Sequence, residues 1–254
     1  MDQPGTDHPL KTYYADIHPS YDRVNRVFTF GRDASWRQRA AEVCLSVRPG
    51  RVLDLCTGTG DFALELMRQA SYPVSVTGFD FSPQMLEVAR RKAGEILAAR
   101  QAVAGPVPGR LQFIEGDASR MPFPDGQFDA IGITFGIRNL LFENSLAEHH
   151  LEEINRVLTP GGRLIILESC RPDNPLWRFS NALYLRFILP WLGGLISGNL
   201  QAYRYLARSS RNYYSIREMG LILEKAGFRV LQERLLFMGS VMLLEASKIR
   251  SYDR

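Results

Sequence analysis

From residue 51 onward, short β-rich runs alternate with helical ones, and this alternation constrains the fold of the 254-residue chain more than any other feature. "RVLDL" (51–55) reads as a strand, "DFALELMRQA" as a helix and "VSVTGF" (74–79) as a second strand. "SPQMLEVARRKAGEILAAR" predicts a long helix, with Ser82 as N-cap and Pro83 in the first position. "RLQFIEG" and "FDAIGITF" are further strands. "ENSLAEHHLEEINRVL" is a helix stopped by "TPGG", and "RLIILES" follows as a strand. Residues 100–110 read as a loop. "IREMGLILEKAGF" predicts a helix closing at Gly227, before a final strand pair, "RVLQERLLF" and "SVMLLEAS". Such an order implies an α/β fold, a mostly parallel sheet with helices on both faces.

Two stretches break the alternation. Residues 1–50 precede the first strand and carry the aromatic, basic "YDRVNRVFTFGRDASW". Residues 170–214 interrupt it with "NPLWRFSNALYLRFILPWLGGLISGNLQAYRYL". The apolar run there is cut by Arg186, Pro190 and Gly193–Gly194, too often for a membrane span of about 20 residues. It reads as a lid with an apolar inner wall, since binding elements sit on connections above a rigid sheet; a buried helical subdomain is the plainer alternative. Charge singles out the same stretch. Arg171, Arg178, Arg186, Arg204, Arg208, Arg211 and Arg217 face one acid, Asp173, in a chain of net charge +4. A solvated basic face is the default reading, and a surface meeting anionic lipid the sharper one. Three widely spaced cysteines suggest neither a metal site nor a disulfide framework, and predict a reducing, cytoplasmic setting. The polar start, "MDQPGTDHPL", lacks the pattern of a signal peptide.

"VLDLCTGTGD" (52–61) ends a strand in a glycine-rich turn that opens a helix. Gly58 and Gly60 let backbone approach a ligand, and the helix start offers free N–H groups. Gly58, Gly60 and Ala63 also fit a loose dinucleotide pattern, and Asp80, placed to accept from ribose hydroxyls, suits NAD enzymes equally. Asp117 and Ala118, after the third strand, can take an adenine amino group and leave room for its ring. Asp54 and Asp61 suit a ligand with cationic ends better than a pyrophosphate. Cys56, beside the turn, reads as a small packing residue, and His149 and His150 as a solvated helical face.

With the glycine turn, Asp80 and Asp117, the chain resembles class I S-adenosylmethionine-dependent methyltransferases, which implies their Rossmann-like sheet with a C-terminal antiparallel pair. More closely, it resembles the ubiquinone/menaquinone biosynthesis C-methyltransferase family. "YDRVNRVFTFGRDASW", "VLDLCTGTGD", "ASRMPFPDGQFD", "ITFGIRNL" (133–140), "RVLTPGGRLIILES" and "AYRYLARS" carry that resemblance, and the first, fourth and last lie outside the generic methyltransferase core. The chain departs from the family pattern at Asp33, Thr159, Cys170 and Leu244. The resemblance implies S-adenosylmethionine as cofactor, with Thr59, Asp80, Asp117, Ala118 and Thr134 in contact with it. Asp54, Gly58, Gly60 and Phe81 complete the expected cofactor set. It implies ring methylation of a prenylated quinol, with the 183–197 run receiving the tail.

Arg138 and Asn139, at the end of the fourth strand, are the expected catalytic residues with Tyr203. Arg138 would favour an ionised hydroxyl. Alternatively it would pair with a carboxylate, Asp22 being the candidate, and tie the N-terminal segment down. Gly136 is expected to allow the sharp turn. The expected domains are an N-terminal helical segment, 1–50, closing over the site, and a methyltransferase domain, 51–254, with a lid at 171–214. A peripheral membrane contact and a homodimer are open expectations, and nucleic acid is not an expected partner. Methylation of another hydrophobic small molecule, such as a polyketide, is the alternative activity. A non-catalytic cofactor-binding module is the alternative from another class.

Overall fold

The computed structural model describes residues 21–104, 109–197 and 200–250. Seven strands form one sheet in the order β3-β2-β1-β4-β5-β7-β6. They are β1 (Arg51–Leu55), β2 (Val74–Asp80), β3 (Gly109–Glu115), β4 (Phe128–Thr134), β5 (Leu158–Ser169), β6 (Phe228–Leu236) and β7 (Val241–Lys248). The first five run parallel, and β7 pairs antiparallel with both β5 and β6. Val52, Leu53, Ala130, Ile131, Ile165 and Ile166 are all fully buried. Such continuous apolar runs follow from burial on both faces of a parallel sheet.

Helices α1 (Tyr21–Phe28), α2 (Asp33–Leu45), α3 (Asp61–Gln69), α4 (Pro83–Ala104), α5 (Ile137–Leu141) and α6 (Ala147–Val157) precede or join the parallel strands. Ser82 caps α4, accepting from the Met85 N–H, ahead of Pro83. Helix α3 packs so close to β4 that a Cβ on Gly132 would stand 2.1 Å from the Phe62 ring. Helix α10 (Ile216–Lys225) opens with a capping box of Ser215 and Glu218, and Gly227, at φ +86°, ends the segment after it.

Two boundaries differ from expectation. Helix α4 continues through residues 100–104, taking half of the expected loop; 105–108 lie outside the described residues. "TPGG" does not separate helix from strand. Leu158 is fully buried and pairs with Phe128, so β5 starts there and crosses the glycines through a register shift between Phe128 and Ala130.

The stretch expected to form a lid folds as α7 (Pro175–Leu183), a π turn (Tyr184–Ile188), α8 (Leu189–Ser197) and α9 (Leu200–Asn212). Asn174 caps α7 by accepting from the Leu176 and Trp177 N–H groups. The π turn has a cause in Pro190. A proline has no N–H to donate, and its ring crowds the carbonyl four residues back, here that of Arg186. Widening the preceding turn, so that the Leu189 N–H reaches the Tyr184 carbonyl, relieves this without breaking the helix. Residues Phe28, Leu185, Leu189, Tyr203 and Ala207 form a small core separate from those flanking the sheet. Gly193 makes room for it, since a Cβ there would lie 2.4 Å from the Tyr203 ring.

Candidate functional site

The sheet reverses direction of growth between β1 and β4, and a ligand crevice in an open α/β sheet lies outside the carboxyl ends at such a point. Both strand ends there leave ordinary backbone geometry. Cys56, just past β1, has φ +58°, and Phe135, just past β4, has φ +57°. Non-glycine residues in this region cost of order 1 kcal/mol or more and gather at binding sites. The left-handed residue is Phe135, so Gly136 is not the residue that makes the turn; its own φ is −124°. It serves close approach instead, because a Cβ there would stand 2.5 Å from the Cys56 Cβ.

The glycine turn is buckled from below by two acids. Asp54 is fully buried, and its Oδ2 accepts from the Thr57 hydroxyl at 2.5 Å and the Ala63 N–H at 3.0 Å. Its Oδ1 has no partner among the described residues. Burial above all holds this carboxyl at about 7, far above its ordinary 3.8, against the lowering effect of those two hydrogen bonds. Asp80 accepts from the Gly58 N–H at 2.9 Å and the Ser82 N–H at 2.9 Å, and also receives the Phe81 N–H. Burial raises its pKa as well. Gly58, at φ +54°, has open space where a Cβ would stand. The sequence places Asp80 at a ribose; the structure shows its carboxylate anchoring the glycine turn, a role the sequence does not announce.

Thr59 is engaged by other residues. Its hydroxyl donates to Asp22 at 2.7 Å and accepts from Lys92 at 3.0 Å. Lys92 bridges Asp22 at 2.6 Å and Asp61 at 2.5 Å; Arg37 lies 3.7 Å from Asp61 and 2.7 Å from Asp33. This alternating chain of charges ties α1 to the glycine turn and α4. Asp33, a departure from the family pattern, belongs to it and also accepts from Thr29. Asp22 is therefore not the partner of Arg138. Tyr184 donates to the Phe28 carbonyl at 3.0 Å, so α1 holds the lid at its other end.

Arg138 is buried at the start of α5, and the carboxylate it meets is Glu168, at the end of β5. The Nε lies 3.7 Å from Glu168, whose other oxygen accepts the Arg138 backbone N–H at 3.3 Å. The guanidinium also donates to Ser209 on α9. Tyr213 lies close enough that its pKa, pushed well up by burial, is raised further by Glu168 and lowered by Arg138. Asn139 uses its carbonyl to hold the Asn144 amide at 3.1 Å. Tyr203 is buried in the lid core, its ring 6.0 Å from that of Phe28.

Asp117 is exposed, its carboxylate accepting the Ser119 N–H at 2.8 Å, and Ala118 packs half-buried on the main core beside it. Thr134 is half-buried at the end of β4. His150, expected on a solvated face, is buried, with Nδ1 3.0 Å from the Leu140 carbonyl and its pKa lowered by burial. Among the described residues no group of three or more His, Cys, Asp or Glu could hold a metal ion.

The glycine turn, open at Gly58 and braced by Asp54 and Asp80 at the switch point, fits a ligand that the backbone must approach closely. The family model described as ubiE/COQ5 methyltransferase family matches residues 4–248. A demethylmenaquinone methyltransferase of Thermus thermophilus is 43% identical over 225 residues, covering 88% of this chain and 94% of the relative. A ubiquinone/menaquinone biosynthesis C-methyltransferase of Geobacter sulfurreducens is 38% identical over 87% of this chain and 80% of its own length. Among solved structures, an S-adenosylmethionine-dependent methyltransferase from Aquifex aeolicus superposes with a TM-score of 0.52 at 22% identity, covering 78% of this chain and 82% of its own. The [4+2]-cyclase SpnF superposes at 0.57 with 19% identity, covering 84% and 81%. At such identities the likeness shows the fold alone, and the cyclase illustrates how little a fold says about chemistry.

Proposed function

The chain belongs to the ubiE/COQ5 methyltransferase family and is an S-adenosylmethionine-dependent methyltransferase, and from that premise we propose that its acceptor is a ring carbon of a prenylated quinol, demethylmenaquinol or the equivalent ubiquinone precursor. The observation that carries this reading is the 43% identity to a demethylmenaquinone methyltransferase across nearly the whole of both chains. Other hydrophobic small-molecule acceptors, such as polyketides, are not favoured by these relatives.

S-adenosylmethionine supplies an electrophilic methyl group carried on a sulfonium. Asp54, Gly58, Gly60, Asp80, Phe81, Asp117, Ala118 and Thr134 would hold it, with Thr59 acting through the turn it braces. The chain's contribution to the chemistry is alignment, exclusion of water and control of one proton. Alignment of the ring carbon with the methyl can be worth about 7–11 kcal/mol. The ring would become nucleophilic as its neighbouring hydroxyl gives up a proton; the new carbon–carbon bond would form as the methyl's bond to sulfur breaks, and the hydrogen on that carbon would then leave as a proton, restoring the aromatic ring. Arg138 and Asn139, next to the Phe135 turn, are the proposed groups beside that hydroxyl. Glu168 neutralises much of the Arg138 charge, which favours a positioning role in which Arg138 joins the sheet edge to α9. Tyr203, in the lid core, would act by shaping the lid. The described parts of the segments 1–50 and 171–214 would close on the crevice from two sides.

Purified protein incubated with labelled S-adenosylmethionine and reduced demethylmenaquinol should yield one ring-methylated quinol by mass. Labelling of other lipids while the quinol stays unmodified would refute this acceptor.

A further inference from the structure

The lid's outer surface carries large apolar side chains in solvent. Leu176, Phe179, Leu183, Phe187, Trp191 and Leu195 are all exposed, Trp191 to 70% and Leu195 to 84%. From Phe179 onward they recur every four residues. Four residues of α-helix over-rotate by about 40°, so four such steps would spread the set over about 160°. The π turn at Tyr184–Ile188 holds back about one residue, or roughly 100°. The six side chains therefore stay on one stripe along α7 and α8, opposite Leu185 and Leu189, which are buried on α1 and α9.

The charges beside the stripe are mostly of one sign. Between Asn174 and Arg217 the chain has no acid. Arg178 and Arg186 stand on the same helix, Arg186 over the Phe187 ring at 5.4 Å, and Arg204 and Arg211 are exposed on the adjacent α9. A second copy of the chain, brought stripe to stripe, would set these arginines against their own images; the segment's one acid, Asp173, lies beside Arg178, whose guanidinium donates to the Pro172 and Asp173 carbonyls. An anionic surface with an apolar interior complements both features, the pattern of helices that lie in the plane of a bilayer interface. No helix among the described residues is long and apolar enough to cross a membrane.

We propose that the outward stripe of α7 and α8 is a peripheral docking surface for anionic phospholipid, with Phe187, Trp191 and Leu195 entering the acyl boundary and Arg178 and Arg186 meeting headgroups. This deepens the reading above and rests on it for its purpose, since a prenyl tail resides in a bilayer; its test does not depend on the acceptor.

The full chain is sedimented with vesicles of phosphatidylcholine alone and with about one third phosphatidylglycerol, neither containing quinol. Binding should favour the anionic vesicles, and a Phe187→Glu/Trp191→Glu variant should lose it by roughly tenfold or more. An Arg178→Gln/Arg186→Gln variant should lose most of the preference for phosphatidylglycerol. Unchanged melting and unchanged S-adenosylhomocysteine affinity certify that the variants are folded. Methyl transfer to a soluble, tail-less quinol, measured alongside, reports separately on the crevice. If wild type binds neither vesicle, or the apolar variant binds as wild type, the docking surface is refuted, whatever the soluble assay gives. If the charge variant keeps its lipid preference, the anionic part is refuted. A dimer by light scattering that the apolar variant dissolves would assign the stripe to a second copy instead.

Discussion

The carboxyl edge of the sheet and the lid above it use the same kinds of residue in opposite ways. At the edge, apolar side chains are fully enclosed, and the polar groups of Asp80, Arg138 and Glu168 are engaged by named partners. On the lid, a core of five residues holds the helices together while larger side chains stand in water. Burial at the edge stabilises the fold and leaves little freedom for substitution. The stripe's exposed side chains contribute little to folding, and the docking proposed above would give them a use.

Substitutions can break that contrast, the largest effects falling at the edge. Arg138→Gln leaves Glu168 buried without its counter-charge, and loss of one partner of a buried pair costs about 3–5 kcal/mol. A large fall in melting temperature is expected, and Arg138→Gln with Glu168→Gln should recover much of it. If kcat recovers with stability in the double variant, Arg138 is a positioning residue; if kcat stays about 100-fold down on a restored fold, its charge acts on the acceptor.

Asp54 gives the next largest effect, read against pH. Its folded pKa of about 7 lies above the ordinary 3.8, so the unfolded chain releases this proton first. Its contribution is whole below about pH 4 and is lost as pH rises to about 7, by up to about 4 kcal/mol. Denaturant melts should show wild type weakening across that window and Asp54→Asn weakening less. A variant with the same slope as wild type would move the titration elsewhere. Asp80→Ala removes acceptors for the Gly58 and Ser82 N–H groups, and S-adenosylhomocysteine affinity should fall by the equivalent of about 1.5–3 kcal/mol. Calorimetric titration showing no loss would displace Asp80 from the cofactor site.

Two glycines probe the two regions directly. Gly132→Ala would force a methyl against Phe62 and lower global stability by about 1–3 kcal/mol. Gly193→Ala makes a similar clash with Tyr203, but its effect should appear as faster hydrogen exchange across α8 and α9 with little change in global melting. Equal global losses would mean that lid and sheet unfold as one unit. Leu195→Ser should be smallest, within about 0.5 kcal/mol by denaturant melt.

The parallel sheet and its final strand pair were legible because each rests on local pattern: period, the Ser82–Pro83 start, the Gly227 stop. The glycine turn and its acids were legible for the same reason. Long-range pairings were not. Nothing near Arg138 points to Glu168 thirty residues on, or to Ser209 beyond it, and Asp22 was a plausible partner until Lys92 was seen to hold it. The helical reach of α4 was hidden by the turn-like "GPVPG" that follows. Pro190 and the two glycines, which cut the apolar run in the sequence, leave the helices in place: the π turn absorbs the one, and Tyr203 and Leu200 pack against the others.

The chain of charges from Asp22 through Lys92, Asp61 and Arg37 to Asp33 has a consequence for rate. Its Asp22, Lys92 and Asp61 side chains are partly open to solvent, so dissolved ions compete with them, and at physiological ionic strength the screening length is about 8 Å. The strap that α1 lays between turn and lid is thereby weakened by dissolved salt, while the enclosed sheet edge is nearly indifferent to it. Rising ionic strength would then loosen the strap without loosening the fold, and where departure of product limits turnover, moderate salt would quicken the enzyme before it harms it.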